Sequence, residues 1–217
     1  MQRQFPGATV VCVGTGPSLT ANQVEVARSK GFTLFACNDA IRLAPDAALL
    51  FACNWQWWDA RWDEVKDLPC EKWTSNTAAA HRFDINYIDG RLQPCGYGLS
   101  TDPSYIHHGH GSGYQLLEMA KRSGARRIVL LGYDLAFAAD YDGRGQQVGS
   151  SPRHFFGEYE PALQHWPHVA VHHGVHTELL RFYGAVAEQM HVTGPDEIIN
   201  CSGGVLNCFP RMDIRET

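Results

Sequence analysis

The stretch Val10–Leu19, VVCVGTGPSL, decides the fold. Four apolar residues that favour β-structure run directly into a glycine turn, and such a run predicts a strand buried on both faces of a parallel sheet. Gly14 and Gly16 allow backbone conformations and close approaches that a Cβ would forbid. Thr20 and Gln23 then form a capping-box pattern at the start of an amphipathic helix. Strand, turn and helix in this order predict an α/β domain.

The glycine turn has two interpretations. A turn between a strand and a helix presents free backbone N–H groups, which α/β proteins use to bind phosphate. The turn lacks the third glycine of the dinucleotide fingerprint, and no Gly-Lys-Ser/Thr of a Walker loop follows. The segment is therefore either a tight turn without a ligand or a phosphate-binding turn whose contacts come from Gly14, Thr15, Gly16 and Ser18.

Composition is that of one ordered domain. Of the 217 residues, 44% are hydrophobic and 19% are charged, which is sufficient for a core of ordinary size. The net charge of −5 gives no electrostatic case for nucleic acid or a membrane surface as partner. The sequence contains no apolar stretch of membrane-spanning length, and its first ten residues do not resemble a signal peptide. Seven scattered cysteines without a CxxC pair favour reduced thiols and a cytoplasmic location.

Two further apolar segments each end in a cysteine that is followed by an asparagine. Phe32–Cys37 and Ala48–Cys53 predict short strands, and Asn38 and Asn54 follow them. Because the carboxyl ends of parallel strands share one edge, both asparagines are expected in the same crevice as the glycine turn. An amide offers two donors and two lone pairs, which suits a base or a sugar hydroxyl. Asparagine is also common at strand ends because it forms turns.

A second glycine-rich unit begins at Gly111–Gly113, with the sequence GSG. It opens a helix that leads to residues 127–132 (RIVLLG), which predict another buried strand ending at Tyr133 and Asp134. Ser112 can either cap this helix or contact a phosphate through its hydroxyl and backbone N–H. The two flanking glycines favour the ligand.

The middle of the chain contains four tryptophans within residues 55–62, and three of them share one helical face. Burial in the core or in a subunit contact of a homo-oligomer is the favoured interpretation, and a stacking wall for a base or sugar is the alternative. Residues 135–170 are polar or weakly periodic and are expected to form an irregular lid. The prediction for residues 1–217 is a single nucleotide-binding α/β domain with a Rossmann-like, mostly parallel sheet flanked by helices.

The histidines form two clusters, at His107, His108 and His110 and at His172, His173 and His176. Imidazole is a common metal ligand. Neither cluster has HExxH spacing, and no carboxylate repeats at a matching distance, so we expect no metal site. A single histidine acting as general base beside the crevice is the simpler interpretation.

In their order and rough spacing, these motifs resemble a superfamily. It comprises small bacterial sialyltransferases that use CMP-sialic acid, archaeal-type hydroxymethylpterin pyrophosphokinases and Maf-like flagellin-modification proteins. The resemblance covers roughly residues 8–205. It is carried by Gly14–Leu19, Cys37-Asn38, Asn54, Gly111–Gly113, the strand Ile128–Asp134, and His173 ahead of the helix entered through Thr177. The stretch from Gly98 to Asp134 also resembles proteins commonly encoded by tailed phages, for which the location would be the host cytoplasm.

The resemblance implies roles for individual residues. In the sialyltransferases the CMP part of the donor is held by residues that match Ser18, Asn38, Asn54, Ser112 and Gly113. Tyrosines of the following loop contact the phosphate; Tyr141 is the best match for them and Tyr133 a poorer one. The residue that matches His173 is the proposed base that deprotonates the acceptor hydroxyl. The chain departs from the family at Thr15, where the sialyltransferases usually have asparagine, and in the tryptophan-rich region.

Three functions are compatible with these residues. The first is a metal-independent glycosyltransferase that uses a nucleotide-sugar donor, with a CMP-sugar favoured, and a hydroxyl acceptor, and that requires no cofactor. The second is a pyrophosphokinase-like transfer from ATP, for which Mg²⁺ would need Asp134, Asp140 and Asp142. The third is a non-catalytic nucleotide-binding or virion-associated interaction protein, because a fold does not by itself fix a function.

Overall fold

The structure is a computed structural model that describes residues 4–92, 97–136, 139–141, 147–150, 152–163, 171–172, 175–193 and 197–217. Its helices are α1 (Ala21–Ser29), α2 (Trp55–Val65), α3 (Thr77–Phe83), α4 (Ser112–Arg122) and α5 (Thr177–Thr193). Its strands are β1 (Thr9–Val13), β2 (Thr33–Cys37), β3 (Leu49–Phe51), β4 (Glu71–Thr74), β5 (Asn86–Tyr87), β6 (Asp89–Arg91), β7 (Tyr105–His107), β8 (Arg127–Leu131), β9 (Ala139–Tyr141), β10 (Gln147–Ser150), β11 (Val171–His172), β12 (Val175–His176) and β13 (Glu197–Asn200).

Seven strands form one sheet in the order β13-β8-β1-β2-β3-β4-β5, and every neighbouring pair is parallel. The remaining strands form two-stranded pairs, of which β6–β7 is parallel and β9–β10 and β11–β12 are antiparallel. The sheet and its flanking helices confirm the predicted Rossmann-like α/β fold.

The strand order reverses direction once, between β1 and β8. From β1 the chain proceeds outward through β2, β3, β4 and β5, then crosses to β8 on the other side of β1 and later adds β13. In open parallel sheets, the crevice beyond the carboxyl ends of the strands at such a reversal is where ligands bind. The turns that follow β1 and β8 therefore border the expected position of a site.

Burial explains why the first stretch forms a central strand. In β1, Val10 and Cys12 belong to the hydrophobic layer that contains Leu116 of α4, while Val11 and Val13 belong to the opposite layer. All four side chains are fully buried. A strand covered on both faces has no solvated side, which is why its sequence is continuously apolar rather than alternating.

The tryptophan-rich stretch forms α2 and contributes mainly to the core. Trp57 and Trp58 are fully buried, and Trp62 packs against the same layer at a ring distance of 6.4 Å from Trp58. Trp55, the first residue of the helix, is exposed. For Trp57 and Trp58 the structure thus agrees with the core interpretation.

The expected lid region contains regular structure. Its described parts include β9, β10 and a short 3₁₀ helix at Pro161–Leu163. Residues 152–160, named the strap below, contact the turn that follows β1, since the Phe155 N–H donates to the Thr15 carbonyl at 3.1 Å. In the part of the chain that the structure describes, no helix has both the length and the apolar character needed to cross a membrane.

Candidate functional site

The turns after β1 and β8 pack against each other through their backbones. The Gly14 N–H donates to the Leu131 carbonyl at 2.7 Å, and the Gly16 N–H donates to the Gly132 carbonyl at 2.8 Å. A Cβ on Gly14 would lie 2.7 Å from the Gly132 oxygen, and Gly132 itself has a φ of +70°. These glycines are thus required by the contact between the two turns, whether or not a ligand is present.

The Ser18 hydroxyl joins three turns at the end of the sheet. It donates to Asp134 Oδ2 at 2.8 Å and accepts from the Gly203 N–H, also at 2.8 Å. Burial raises the pKa of Asp134 above its ordinary value, although the Ser18 hydrogen bonds oppose this shift. Ser18 and Asp134 lie where the sequence predicted them, but their side chains bind each other across the strand ends.

Asn38 and Asn54 lie in one cleft, beyond the ends of β2 and β3. Asn38 has a φ of +49°, and its Oδ1 atom is buried without a hydrogen-bond partner among the described residues. Asn54 precedes α2, and no hydrogen bond from its side chain caps that helix in the described part of the chain. A buried carbonyl oxygen without a donor is costly, so Asn38 offers a ready acceptor to a ligand.

No side chain of the described residues caps the start of α4. Gly111 precedes the helix with extended backbone angles and has no side chain that could bind its first N–H groups. The Ser112 hydroxyl does not cap the helix; it accepts from the Cys53 N–H and donates to Cys53 Sγ, each at 3.1 Å. It thereby fastens α4 to the end of β3. Within the described ranges, no side chain accepts from the first N–H groups of α4, which border the cleft, and the helix dipole favours an anion there.

Two adjoining cavities form the cleft. The turn section, of about 230 Å³, lies along Gly14–Pro17 and Gly132–Ala136. The outer section, of about 330 Å³, lies along Asn54, His108 and Tyr159. Both sections share Asn38, Gly111, Ser112, Arg153 and His154. Among the described residues that line the outer section, none is acidic.

Arg153 and His154 of the strap border both sections, and sequence analysis did not single them out. His154 Nδ1 lies 3.2 Å from Thr15 Oγ1, and its ring stacks on Phe156 at 5.0 Å between centroids. Burial lowers the pKa of His154 below its ordinary value, so the imidazole is neutral at pH 7. No local motif marks these residues, because their place in the site depends on a tertiary contact with Thr15.

The other residues that were predicted to contact the ligand are either buried or only partly covered by the structure. Tyr133 is buried; its hydroxyl donates to the Gly113 carbonyl at 3.0 Å, so it supports the cleft from below. Burial raises its pKa well above the ordinary value. Tyr141 lies in β9, with only its backbone described, and His173 lies outside the described residues. Of the acidic candidates for Mg²⁺, Asp140 lies in β9. Asp142, like His173, is outside the described residues.

The histidines of the first cluster, at positions 107, 108 and 110, each make different contacts. His107 is buried with its Nδ1 2.6 Å from the Gly98 carbonyl, and His110 Nε2 lies 3.7 Å from Glu178. His108 lines the outer section, and its Nδ1 is buried without a partner among the described residues. Burial lowers the pKa of His108, and the neighbouring His110 adds to this shift. Within the described ranges, no three His, Cys, Asp or Glu residues are grouped so as to hold a metal ion.

Fold and cleft together define an α/β protein with a Rossmann-like sheet and a cleft beside the point where strand order reverses. Comparison with family models, with curated proteins and with solved structures gives no match for the chain.

Proposed function

We propose that the cleft binds a nucleotide-sugar, with a CMP-sugar favoured, and that the protein transfers the sugar to a hydroxyl acceptor. The observation that carries the proposal is the uncapped start of α4, which borders both sections at the reversal of strand order. A helix N-terminus in this position favours a phosphate through free N–H groups and through the helix dipole.

The donor phosphate is assigned to the shared part of the cleft, between the start of α4 and Arg153. Negative charge grows on the departing nucleotide as the bond to the sugar breaks. Fixed N–H groups and a guanidinium stabilise that charge without rearranging, which lowers the barrier. The proposal therefore requires no metal or other cofactor for this step.

Base, ribose and acceptor hydroxyls are assigned to the outer section. Asn38 supplies an acceptor oxygen, Asn54 supplies an amide, and His108 supplies a buried ring nitrogen. Groups of this kind recognise ligands that carry both donors and acceptors.

The proton of the acceptor hydroxyl needs a base. His173 remains the prediction that the family resemblance makes. Among the described residues, His154 is the candidate, because it borders both sections and is neutral at pH 7. A positioned base contributes roughly 10²–10⁴ to the rate.

The cysteines bear on location. The six cysteines in the described part of the chain are unpaired, and five of them are buried. Free thiols persist in reducing compartments, so we propose the cytoplasm.

Isothermal titration with CMP, UMP, GDP and ATP, each with and without Mg²⁺, tests the proposal. We expect CMP to bind without metal and Arg153→Gln to weaken it about tenfold. The control Arg215→Gln, which removes an exposed arginine paired with Asp213, is expected to bind CMP as the wild type does. Binding of ATP alone, and only with Mg²⁺, would instead support the pyrophosphokinase-like function. CMP binding without sugar transfer from CMP-sialic acid would favour a non-catalytic nucleotide-binding protein, and no binding at all would contradict the nucleotide site.

A further inference from the structure

We infer that Glu160 and Arg61 are positioning residues of the cleft: through Asp39 they hold the strap, and with it Arg153 and His154, across the strand end that carries Asn38. The inference rests on the proposed function only for the ligand in the binding assay; the attachment of the strap is tested without one.

The anchor of this arrangement is Asp39, directly after Asn38 in the chain. Its carboxylate is fully buried. Oδ2 accepts from Trp57 Nε1 at 2.6 Å, and Oδ1 accepts from Arg61 Nε at 3.0 Å. A buried carboxylate is tolerated because such donors compensate for its lost hydration. The Asp39 contacts therefore fix the backbone of Asn38 relative to α2.

Arg61 links this anchor to the strap. Its side chain is 9% exposed, and its second terminal nitrogen donates to both carboxylate oxygens of Glu160, at 2.7 and 2.8 Å. The guanidinium lowers the pKa of Glu160 below its ordinary value, so this carboxyl stays charged at pH 7. Because one nitrogen of the guanidinium contacts both oxygens of the carboxylate, this charge-assisted contact holds Glu160 close to Arg61.

A second attachment lies at the other end of the strap. The Phe155 N–H donates to the Thr15 carbonyl at 3.1 Å, and the His154 ring lies beside the Thr15 hydroxyl. The strap is thus fastened to the turn after β1 and, five residues later, to α2. Without Glu160, the strap keeps its contact at Thr15 and its buried Tyr159 but loses its ion pair with α2, so Arg153 and His154 are held in place with less support.

Glu64 provides a matched control. It also lies near Arg61, with 3.9 Å between Oε1 and the guanidinium, and its side chain is 49% exposed, against 56% for Glu160. Glu64 belongs to α2 itself, where it also accepts from Arg42 Nη2 at 2.9 Å, so Glu64→Gln removes a carboxylate from beside Arg61 without changing any contact of the strap. Any effect confined to Glu160→Gln therefore comes from the strap.

Hydrogen–deuterium exchange of the ligand-free protein, followed over residues 152–160, tests the attachment. We expect faster exchange at Phe155 in Glu160→Gln than in Glu64→Gln, with the same midpoint of global unfolding in both variants. In titrations with CMP, Glu160→Gln should raise Kd about fivefold, and Glu64→Gln should leave Kd within about twofold of the wild type.

Equal exchange of the strap in the two variants would overturn the inference, whatever happens to CMP. Faster exchange with an unchanged Kd would overturn the positioning role. If the wild type does not bind CMP, the proposed ligand is wrong, and the exchange data still decide whether Glu160 holds the strap.

Discussion

The two sections of the cleft differ in how their polar groups are used. Beside the turn section, the polar groups at the ends of β1, β8 and β13 are paired within the protein: the N–H groups of Gly14 and Gly16 donate to carbonyls at the end of β8, and the Ser18 hydroxyl is bound to Asp134 and Gly203. In the outer section, His108 and the shared residue Asn38 each present a buried atom without a partner among the described residues. The turn section borders a packed junction of three turns, whereas the outer section contains polar atoms that a ligand could bind.

This difference shows that a glycine motif can be required by the fold without contacting a ligand. The glycines of the first stretch permit two backbones to meet, which is a requirement of the fold. Recognition is left to groups that reach the cleft from α4, from Asn38 and from the strap. Substitutions in the two sections are therefore expected to have different consequences.

The largest effect is expected beneath the outer section, at Asp39. Asp39→Ala leaves the buried Nε of Arg61 and the indole N–H of Trp57 without their acceptor, and this should lower the free energy of unfolding by about 3–5 kcal/mol. Urea denaturation followed by circular dichroism measures it. Asp63→Ala, which removes a carboxylate that is 91% exposed, should stay within about 0.5 kcal/mol of the wild type. Similar losses in both variants would refute the anchoring role of Asp39.

The next effect separates packing from backbone strain in the turn section. Gly132 and Gly31 both have a φ of +70°, but a Cβ at Gly132 would lie 2.9 Å from the Gly14 oxygen, while a Cβ at Gly31 would meet nothing within 4 Å. Gly31→Ala should cost about 1 kcal/mol of unfolding free energy through strain alone. Gly132→Ala should cost about 3 kcal/mol, because a steric clash is added. Equal costs would mean that the two turns do not constrain each other.

A smaller effect concerns the pH dependence of the turn section. Because burial raises the pKa of Asp134 above 3.8, the folded state binds its proton more tightly than the unfolded state does. The stabilising contribution of this carboxyl is present at low pH and is lost as pH rises through the folded-state pKa. Asn at this position does not titrate. The unfolding free energy of Asp134→Asn minus that of the wild type should therefore rise as the pH increases from about 4 to the raised folded-state pKa; a falling difference would contradict the raised pKa.

The fold could be predicted further from the sequence than the site could. Continuous apolar runs predict β1, β2, β3 and β8, and the glycines and asparagines that follow these runs mark the strand ends. The pairing of Asp39 with Arg61 and the contact between His154 and Thr15 join residues far apart in sequence. Neither pair forms a local pattern, so no periodicity or spacing indicates them. The role of Ser112 was also hidden, because its partner is the buried Cys53 rather than its own helix.

The most direct test of the central claim, that the start of α4 binds the phosphate, is a CMP titration of Gly111→Asp beside the wild type. Gly111 has the extended backbone of a helix cap, and a Cβ there meets nothing within 4 Å. The new carboxylate should bind the first N–H groups of α4, raise the unfolding free energy by about 0.5 kcal/mol, and raise the CMP Kd about tenfold or more.

We expect Gly111→Asp to raise stability and to lower CMP affinity. Misfolding cannot produce this combination, because it would lower both. Increased stability with an unchanged CMP affinity would contradict the claim and place the phosphate elsewhere.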